Sequence, residues 1–367
     1  MVTSPEESLN AALDAAGHPW QAAENPITQL SEAERRRRLG VPLPDEAERA
    51  AIATRHERVL AFHARPRPAA AVAPAAFDAR DVAGGNYVTD VRDQGSCGSC
   101  VAFGSVSVLE TTAAFTRRQP ALELNLSEAH LFYAHGKSVG VTCDTGWLPR
   151  PALRMAHDIG ITYEDYFPYT PGNSGGATLN GDWPNRLARA SDVVDLTGKP
   201  DRIKEHISTY GAVTACFVVF ADFFPYRSGV YRHVTGGEEG GHCVSLVGYD
   251  DAQGCWIAKN SWGSGWGDGG FVRIGYGQCE IESWQVVGVT GVRLRAWTGT
   301  ARVLGLWSDG AERNAWTYLE NYGWHRLAGT SDQVQSTMLT QMTAAKVAGR
   351  QVNAFTDNGV VDTVYVY

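Results

Sequence analysis

Three short stretches of this chain carry the residue types of a nucleophilic catalytic site. The first runs from Gln94 to Cys100, with the sequence QGSCGSC, and its last cysteine opens an apolar run. A thiol in the first turn of a helix lies at the positive end of the helix dipole, which lowers its pKa and favours the thiolate. Cys100 is therefore the candidate nucleophile of a cysteine hydrolase.

Two downstream stretches supply the partners that such a thiol needs. His242 stands at the start of an apolar run, and Asn260 lies in a turn rich in glycine and tryptophan. A histidine can pair with the thiolate and then protonate the leaving amine. The asparagine oxygen would hold the imidazole in the useful tautomer, and Trp262 would shield that hydrogen bond from water. Gln94 would donate a side-chain N–H to the oxyanion, beside the backbone N–H of Cys100.

Each of these residues also has an ordinary structural interpretation. A cysteine in an apolar helix is usually a small core residue, a single histidine is usually structural, and asparagine is common in turns. The catalytic interpretation is favoured because all the required types occur together.

The elements that must position these residues fall into two halves. Apolar residues at helical spacing predict helices over 100–118, 127–136 and 150–158. Valine-rich and aromatic runs separated by glycines predict strands over 213–220, 243–249, 255–258 and 271–274. A helical half beside a strand half predicts two lobes with a cleft between them.

Composition changes along the chain predict three regions. Residues 1–76 lack cysteine, carry helical patterns and end in a linker at 64–76, rich in proline and alanine, where we expect proteolysis. Residues 77–292 have the composition of a compact domain. Residues 293–367 have strand patterns around a helical stretch at 331–348, which predicts a small α+β domain of unknown role. A strand is expected over 286–292.

Two charged clusters are interpreted as solvated. Ser31 and Glu34 have capping-box spacing and predict a helix over 31–39, whose arginines at 35–38 would form an exposed face. The glutamate pair at 238–239 is interpreted as solvated loop, with attraction or repulsion of charged substrate ends as the alternative.

Composition and charge exclude several function classes. The 367 residues are 44% hydrophobic and 20% charged, as in ordinary globular proteins. A net charge of −8 argues against a nucleic-acid or anionic-membrane partner, and no apolar run is long enough to span a membrane. Seven cysteines leave at least one thiol unpaired in a monomer, which does not fit a disulfide scaffold.

Together the motifs resemble the papain family of cysteine peptidases over residues 77–289. The resemblance implies an α+β, papain-like two-lobe fold, with a helical L lobe and an R lobe built on a β-barrel. It implies Cys100 as nucleophile, His242 as general base and acid, Asn260 as orienting residue and Gln94 as oxyanion donor. No metal or organic cofactor is implied.

The same resemblance implies a disulfide and a set of substrate-binding residues. Cys97 and Cys143 match the structural half-cystines of the family, and the other cysteines (216, 243, 255 and 279) are expected to be buried thiols. The positions that match substrate-binding residues are Thr145, Gly146, Trp147, Leu148, Ala215, Cys216, Trp262 and Trp284. An indole at Trp284 would make a shallow, apolar S2 pocket that prefers small or medium apolar P2 residues, with core packing as the alternative.

Residues 25–31, with the sequence NPITQLS, resemble the cleft-crossing part of a papain-family prosegment. This implies a zymogen whose prosegment crosses the cleft in reverse, blocks Cys100 and is released by cleavage within 64–76, with activity rising on acidification. A fixed N-terminal cap that never leaves is the alternative.

The expected function is therefore that of a cysteine endopeptidase acting on peptide or protein substrates, with its own prosegment as inhibitor. A peptide ligase or acyl transferase using the same site is one alternative. A binding module with a pseudoprotease core is another. A secreted or other oxidising compartment is favoured, and a cytoplasmic location stays open.

Overall fold

The computed structural model describes residues 5–65, 72–120 and 122–367. They divide into two compact units. The first takes the described residues up to Leu179 together with Ala190–Val292, and the second takes Asn180–Arg189 and Arg293–Tyr367. Residues 180–189, expected within the 77–292 region, thus belong to the second unit. Part of the predicted linker, residues 66–71, lies outside the described residues.

Seven α-helices occur in the described residues. They are α1 Pro5–Ala15, α2 Glu32–Arg36, α3 Glu46–His63, α4 Cys100–Thr116, α5 Pro149–Asp158, α6 Pro200–Tyr210 and α7 Asp332–Ala348. A π-helical segment spans His130–Gly136, where an α-helix was expected. None of the described helices combines the length and the hydropathy needed to cross a bilayer.

Helix α2 is shorter than the expected helix over 31–39. The predicted capping box is confirmed, because the Ser31 side chain and the Glu34 side chain each bind the other residue's backbone N–H. The helix ends at Arg36, and the chain then runs to Val41, whose N–H donates to the Gly241 carbonyl oxygen. Residues 37–39 continue in hydrogen-bonded turns, and pairing with a distant strand begins only at Val41.

Sixteen β-strands occur in the described residues. They are β1 Trp20–Ala22, β2 Ala76–Asp78, β3 Ile161–Thr162, β4 Leu187–Ala190, β5 Val193–Asp195, β6 Val213–Phe220, β7 Tyr226–Tyr231, β8 Glu238–Asp250, β9 Cys255–Lys259, β10 Phe271–Gly275, β11 Gln285–Val289, β12 Val292–Ser308, β13 Ala315–Leu319, β14 Gly323–Leu327, β15 Gln351–Asp357 and β16 Val360–Val366. The strand expected over 286–292 is interrupted after β11, and β12 begins a new sheet.

The strand lobe of the first unit is one sheet with the order β1-β7-β10-β9-β8-β6-β11-β5, and β2 pairs with β8. Its long central strand β8 runs antiparallel to both β6 and β9. Large aromatic side chains fill the core beside these strands, including Trp256, Trp262 and Trp266. Strand β8 and the turn after β9 are the elements that carry the predicted histidine and asparagine.

Helix α4 is the central element of the helical lobe. Its sequence is apolar around the whole circumference, and such helices are buried on all sides. The helix packs against β8. A Cβ added at Gly104 would lie 3.1 Å from the Cys243 Sγ, so the glycine permits this close approach. The packing places the N-terminus of α4 beside the strand that carries His242.

The second unit is built on an antiparallel-rich sheet covered by one helix. Its strand order is β13-β14-β16-β15-β12-β4, with β14 and β16 parallel to each other. Helix α7 buries Met338, Met342 and Ala345 against the sheet. The helix is capped by the Ser331 side chain and ends at Gly349, whose φ of 64° suits a residue without a side chain.

Candidate active site

Cys100 is the first residue of α4 and is fully buried. The turn before it is fixed from two directions. The Gly98 N–H donates to the Cys143 carbonyl oxygen at 3.0 Å, and a disulfide joins Cys97 to Cys143 across a Cα–Cα distance of 4.6 Å. The candidate nucleophile therefore follows a turn that is bonded to the loop on its own side of the cleft.

His242 and Asn260 form a buried hydrogen-bonded pair. The His242 Nε2 lies 2.8 Å from the Asn260 Oδ1. That oxygen also accepts from the Ser261 backbone N–H at 2.8 Å, which fixes the orientation of the amide. Nε2 must then carry the proton, and Nδ1 is the nitrogen that can accept a proton from a thiol. The Trp262 ring packs 4.7 Å from the imidazole, centroid to centroid, and is buried.

Gln94 is buried, with its amide orientation fixed by its partners. Its Oε1 accepts from the Ser261 hydroxyl at 2.7 Å, and its Nε2 donates to the Cys97 carbonyl oxygen at 2.8 Å. The same Nε2 donates to the carbonyl oxygen of Arg38 at 3.0 Å. The side chain expected to bind an oxyanion thus binds a peptide carbonyl of the N-terminal region.

Residues 38–41, which we call the inner segment, contact both sides of this site. The Gly40 carbonyl oxygen accepts from the Trp147 N–H at 2.9 Å, on the side of the disulfide loop. The Val41 N–H donates to the Gly241 carbonyl oxygen at 3.1 Å, directly before His242. A Cβ added at Gly40 would lie 2.0 Å from the Gly98 carbonyl oxygen. The inner segment therefore covers the candidate catalytic residues.

Burial shifts the pKa values of both candidate reacting groups so that the neutral form of each is favoured. Burial raises the pKa of the Cys100 thiol, and Cys243 adds to the rise, while backbone hydrogen bonding from Gly40 opposes it. Burial lowers the pKa of His242 to about 4, although the Asn260 hydrogen bond favours the charged imidazole. The covered pair is consequently thiol and neutral imidazole at pH 7, not thiolate and imidazolium.

The residues 73–289, more than half of the chain, match the family model described as papain family cysteine protease. The chain belongs to the papain family of cysteine proteases. It is 36% identical over 231 residues to cathepsin B-like CP3 of Giardia intestinalis, which covers 59% of this chain and 74% of that protein. It is 33% identical over 242 residues to a gut-specific cysteine proteinase of Caenorhabditis elegans, covering 59% and 73%.

Two solved proenzymes share its fold. The proCathepsin B S9 from Trypanosoma congolense has a TM-score of 0.58 at 23% identity, covering 78% of this chain and 98% of that one. The digestive procathepsin L2 of Tenebrio molitor larval midgut also has a TM-score of 0.58 at 23% identity, covering 79% and 95%. The predicted α+β papain-like fold is confirmed, and this chain is a papain-like cysteine peptidase.

The N-terminal stretch that lies at the candidate catalytic positions is not the one expected. Residues 25–31 lie on the strand lobe, where the Asn25 Nδ2 donates to the Phe224 carbonyl oxygen at 2.9 Å and Ile27 is buried. The inner segment lies at the catalytic positions instead. The expectation for 25–31 was wrong because resemblance of a short motif does not fix which part of the chain enters the cleft.

The arginine run at 35–38 is solvated only in part, because Arg36 and Arg37 are exposed whereas Arg38 is buried and Arg35 is half-buried. The Arg38 side chain is only 8% exposed, and its Nη1 lies 2.6 Å from the Asp93 Oδ1, next to Gln94. Arg35 packs over the Phe224 ring at 5.2 Å. These side chains are held because the chain leaves the helix and enters the cleft here.

The glutamates at 238–239 are not loop residues, although Glu238 is exposed. They begin strand β8 and form ion pairs with the N-terminal region. Glu238 Oε1 lies 3.3 Å from the Arg49 Nη2, and Glu239 Oε2 lies 2.9 Å from the Arg36 Nε. Side chains that look solvated from sequence are therefore paired across the interface.

The predicted substrate-binding positions fall into two groups. Gly146 and Trp147 contact Gly40 of the inner segment, and Trp284 lies against Gly241, where an added Cβ would be 2.4 Å from the Trp284 Cη2. In the second group, Thr145 is exposed in a turn, Leu148 is half-buried before α5, and Ala215 and Cys216 are fully buried in β6. Only the first group and Trp262 lie beside the contacts of the inner segment.

The remaining thiols differ slightly from expectation. Cys216, Cys243 and Cys255 are buried and free, whereas Cys279 is half-buried. Its backbone φ of 53° puts Cys279 in a tight turn close to the surface. Among the described residues, no three histidine, cysteine, aspartate or glutamate side chains are grouped as metal ligands.

Three residues at the contact between the inner segment and the cleft were missed from sequence, namely Arg38, Gly40 and Asp93. One signal for them existed. A glycine that follows a predicted helix and precedes Val41-Pro42 marks an extended stretch in which the backbone can approach another backbone closely.

Proposed function

We propose that this chain is the latent precursor of a cysteine endopeptidase. The Cys100 sulfur attacks the substrate carbonyl carbon after its proton passes to the His242 Nδ1, and the C–N bond then breaks as the imidazolium protonates the leaving amine. Water attacks the resulting thioester, with the imidazole accepting its proton, and releases the acid product and the free thiol. Asn260 orients the imidazole, and Gln94 with the Cys100 N–H stabilises the oxyanion.

The observation that carries this proposal is the pairing of Gln94 with a peptide carbonyl. Its Nε2 donates to the Arg38 carbonyl oxygen at 3.0 Å, close to the buried pair of His242 and Asn260. A donor that already binds a peptide oxygen at this position supports its use for a substrate oxygen.

We further propose that residues 1–76 form the prosegment, 77–292 the peptidase domain and 293–367 an accessory domain of unknown role. The inner segment excludes substrate by occupying both sides of the cleft. Its chain runs from Arg38, beside Gln94, to Val41, beside Gly241. If Gly146 and Gly241 bind the acyl side of a substrate, this direction is the reverse of that of a productive substrate. Cleavage in the 64–76 linker would allow its release.

The S2 preference for small or medium apolar residues stays a proposal with additional support. Gly241 lies between Trp284 and Val41, since a Cβ added there would be 2.4 Å from the indole and 3.0 Å from the Val41 Cβ. The prosegment thus presents a medium apolar side chain beside Trp284. A peptide-library profile dominated by basic P2 residues would contradict this preference.

The decisive test is labelling by an epoxide inhibitor of thiol proteases. The full chain should label slowly at neutral pH and rapidly after cleavage in the linker, and Cys100→Ala should not label in either form. Peptide hydrolysis should appear together with labelling. If the cleaved wild-type chain neither labels at Cys100 nor hydrolyses peptides, the proposal is wrong, and a product joined to an added amine would favour the ligase.

A further inference from the structure

Arg38 makes two contacts with neighbouring residues of the cleft. Its carbonyl oxygen accepts from the Gln94 Nε2, and its guanidinium Nη1 lies 2.6 Å from the Asp93 Oδ1. The Arg38 side chain is 8% exposed. A charged side chain that is buried this far needs its partner, because an unpaired buried charge is destabilising. Asp93 therefore functions as a cation-binding position beside the oxyanion donor.

Asp93 is held in place without the prosegment. Its Oδ1 also accepts from the Gly95 backbone N–H at 2.8 Å, and its backbone forms a bridge with Trp262. The adjacent Arg92 does not neutralise it, because that guanidinium is 3.2 Å from Glu128 and 3.6 Å from Glu110. The Asp93 side chain is 49% exposed even with Arg38 bound. When the prosegment leaves, a fixed and accessible carboxylate remains.

Asp93 lies on the side of the cleft where the leaving amine must be. It pairs with Trp262, and Trp262 packs on His242, the group that protonates the amine. The opposite side is marked by Val41, which pairs with Gly241 beside Trp284. The Asp93 carboxylate is therefore positioned for the side chain that follows the scissile bond.

We propose that Asp93 of the processed enzyme binds arginine or lysine at P1′, directly after the bond that is cleaved. This inference rests on the proposed peptidase function and specifies its substrate class. Arg38 occupies the position in the proenzyme and blocks it there. Because guanidinium and carboxylate form a charge-assisted hydrogen bond, arginine is expected to bind better than a neutral side chain of the same shape.

The test compares peptides that differ only at P1′, carrying arginine, its uncharged isostere citrulline, or glutamate. The full chain is processed in the 64–76 linker, and kcat/KM is measured for each peptide. The arginine-to-citrulline ratio should be about fivefold to tenfold, as for a partly exposed ion pair. The arginine-to-citrulline ratio should fall to about one in Asp93→Asn, which keeps an oxygen for the Gly95 N–H. Asp93→Lys should favour the peptide with glutamate.

The ratio within one variant cancels any general loss of activity. Glu205→Gln removes a half-buried carboxylate that pairs only with Arg202 among the described residues, so its ratio should equal that of the wild type. A wild-type ratio of one, or a ratio that Asp93→Asn leaves unchanged, overturns the inference. Absence of all cleavage and labelling overturns the proposed function instead.

A second measurement uses the uncut chain and needs no substrate. Arg38→Met and Asp93→Asn should each increase the rate of Cys100 labelling about fivefold to tenfold by weakening closure. The double variant should label no faster than the faster single variant, because both remove the same contact. Additive effects would show that the two side chains act independently and would overturn the Asp93 site.

Discussion

The proposed prosegment contacts the peptidase in two different ways, and we expect the difference to separate latency from simple attachment. The inner segment, residues 38–41, contacts the cleft through its backbone and the buried Arg38. We define the outer contacts as those of the Arg36, Arg49 and His63 side chains. Arg36 is on α2, Arg49 is on α3, and His63 is the last residue of α3. The inner contacts leave no room for additional atoms, whereas two of the outer contacts are exposed to solvent.

Physical chemistry ranks these contacts. Exposed ion pairs contribute roughly 0–1 kcal/mol each, because water screens them and long side chains lose entropy. A backbone-to-backbone approach that admits only glycine cannot adapt without moving main chain. We therefore expect latency to depend on the inner segment and docking to tolerate change in most outer contacts.

The largest effect is expected for Gly40→Ala. The added Cβ would lie 2.0 Å from the Gly98 carbonyl oxygen. The Gly98 backbone is held by its hydrogen bond to Cys143, and the Gly40 backbone cannot move away without losing its hydrogen bond from Trp147. The free energy that favours the closed state should fall by about 3 kcal/mol or more, so the uncut chain should label at Cys100 roughly 100-fold faster. The rate of epoxide labelling at pH 7 measures it.

Gly237→Ala is the matched control, since no described atom lies within 4 Å of a Cβ added there. Its labelling rate should equal that of the wild type. Equal labelling of Gly40→Ala and wild type would show that the inner segment is not what covers Cys100.

The next effect is the pH dependence of closure. In the closed chain burial lowers the pKa of His242 to about 4, below its ordinary value near 6.5, so protons bind preferentially to a state in which the imidazole is exposed. Closure is fully stabilised above about pH 6.5 and weakens as the pH falls toward 4, by up to about 1.4 kcal/mol for each unit. Hydrogen exchange at the Val41 amide, corrected for intrinsic rates, should accelerate up to about tenfold per unit in Cys100→Ala.

The comparison variant is Cys100→Ala with His242→Gln. Removal of the titrating imidazole should flatten this part of the pH profile. Identical slopes in the two proteins would assign the acid effect to other groups and remove His242 from the description of activation.

The candidate catalytic residues could be predicted because their signals are local. Gln94 and Cys100 share one short motif, and Asn260 lies in a distinctive turn with Trp262. The helices and strands that carry them also follow from the pattern of apolar residues. Helix α4 lies within the helix predicted over 100–118, and β6 was predicted with its observed bounds.

The contacts that cover the site could not be predicted in the same way. Arg38 and Asp93 are 55 residues apart, and nothing in either local sequence specifies the other. Helical periodicity extends to position 39, but the α-helix ends at Arg36, and Val41 pairs with the distant Gly241. The place of β4 in the second unit was not predicted for the same reason, because strand pairing over long separations leaves no local pattern.

His63 is the outer contact with the largest expected effect. Its Nε2 lies 2.8 Å from the fully buried Glu282, and its ring stacks on Tyr276 at 4.5 Å. His63→Ala should weaken closure by about 1.5 kcal/mol and speed Cys100 labelling about tenfold, because a buried hydrogen bond and a stacking contact are lost. The exposed pair of His18 with Asp14 provides the control, and His18→Ala should label at the wild-type rate.

The smallest effect is expected for the exposed arginines. The Arg36 and Arg49 side chains are 53% and 46% exposed, so Arg36→Met and Arg49→Met should each change the labelling rate by less than about fivefold, and less still in high salt. Arg58→Met, on the same helix as Arg49 but bonded to a backbone carbonyl of its own helix, controls for loss of charge. An effect as large as that of Gly40→Ala would erase the distinction between inner and outer contacts, because closure would then depend on surface charge.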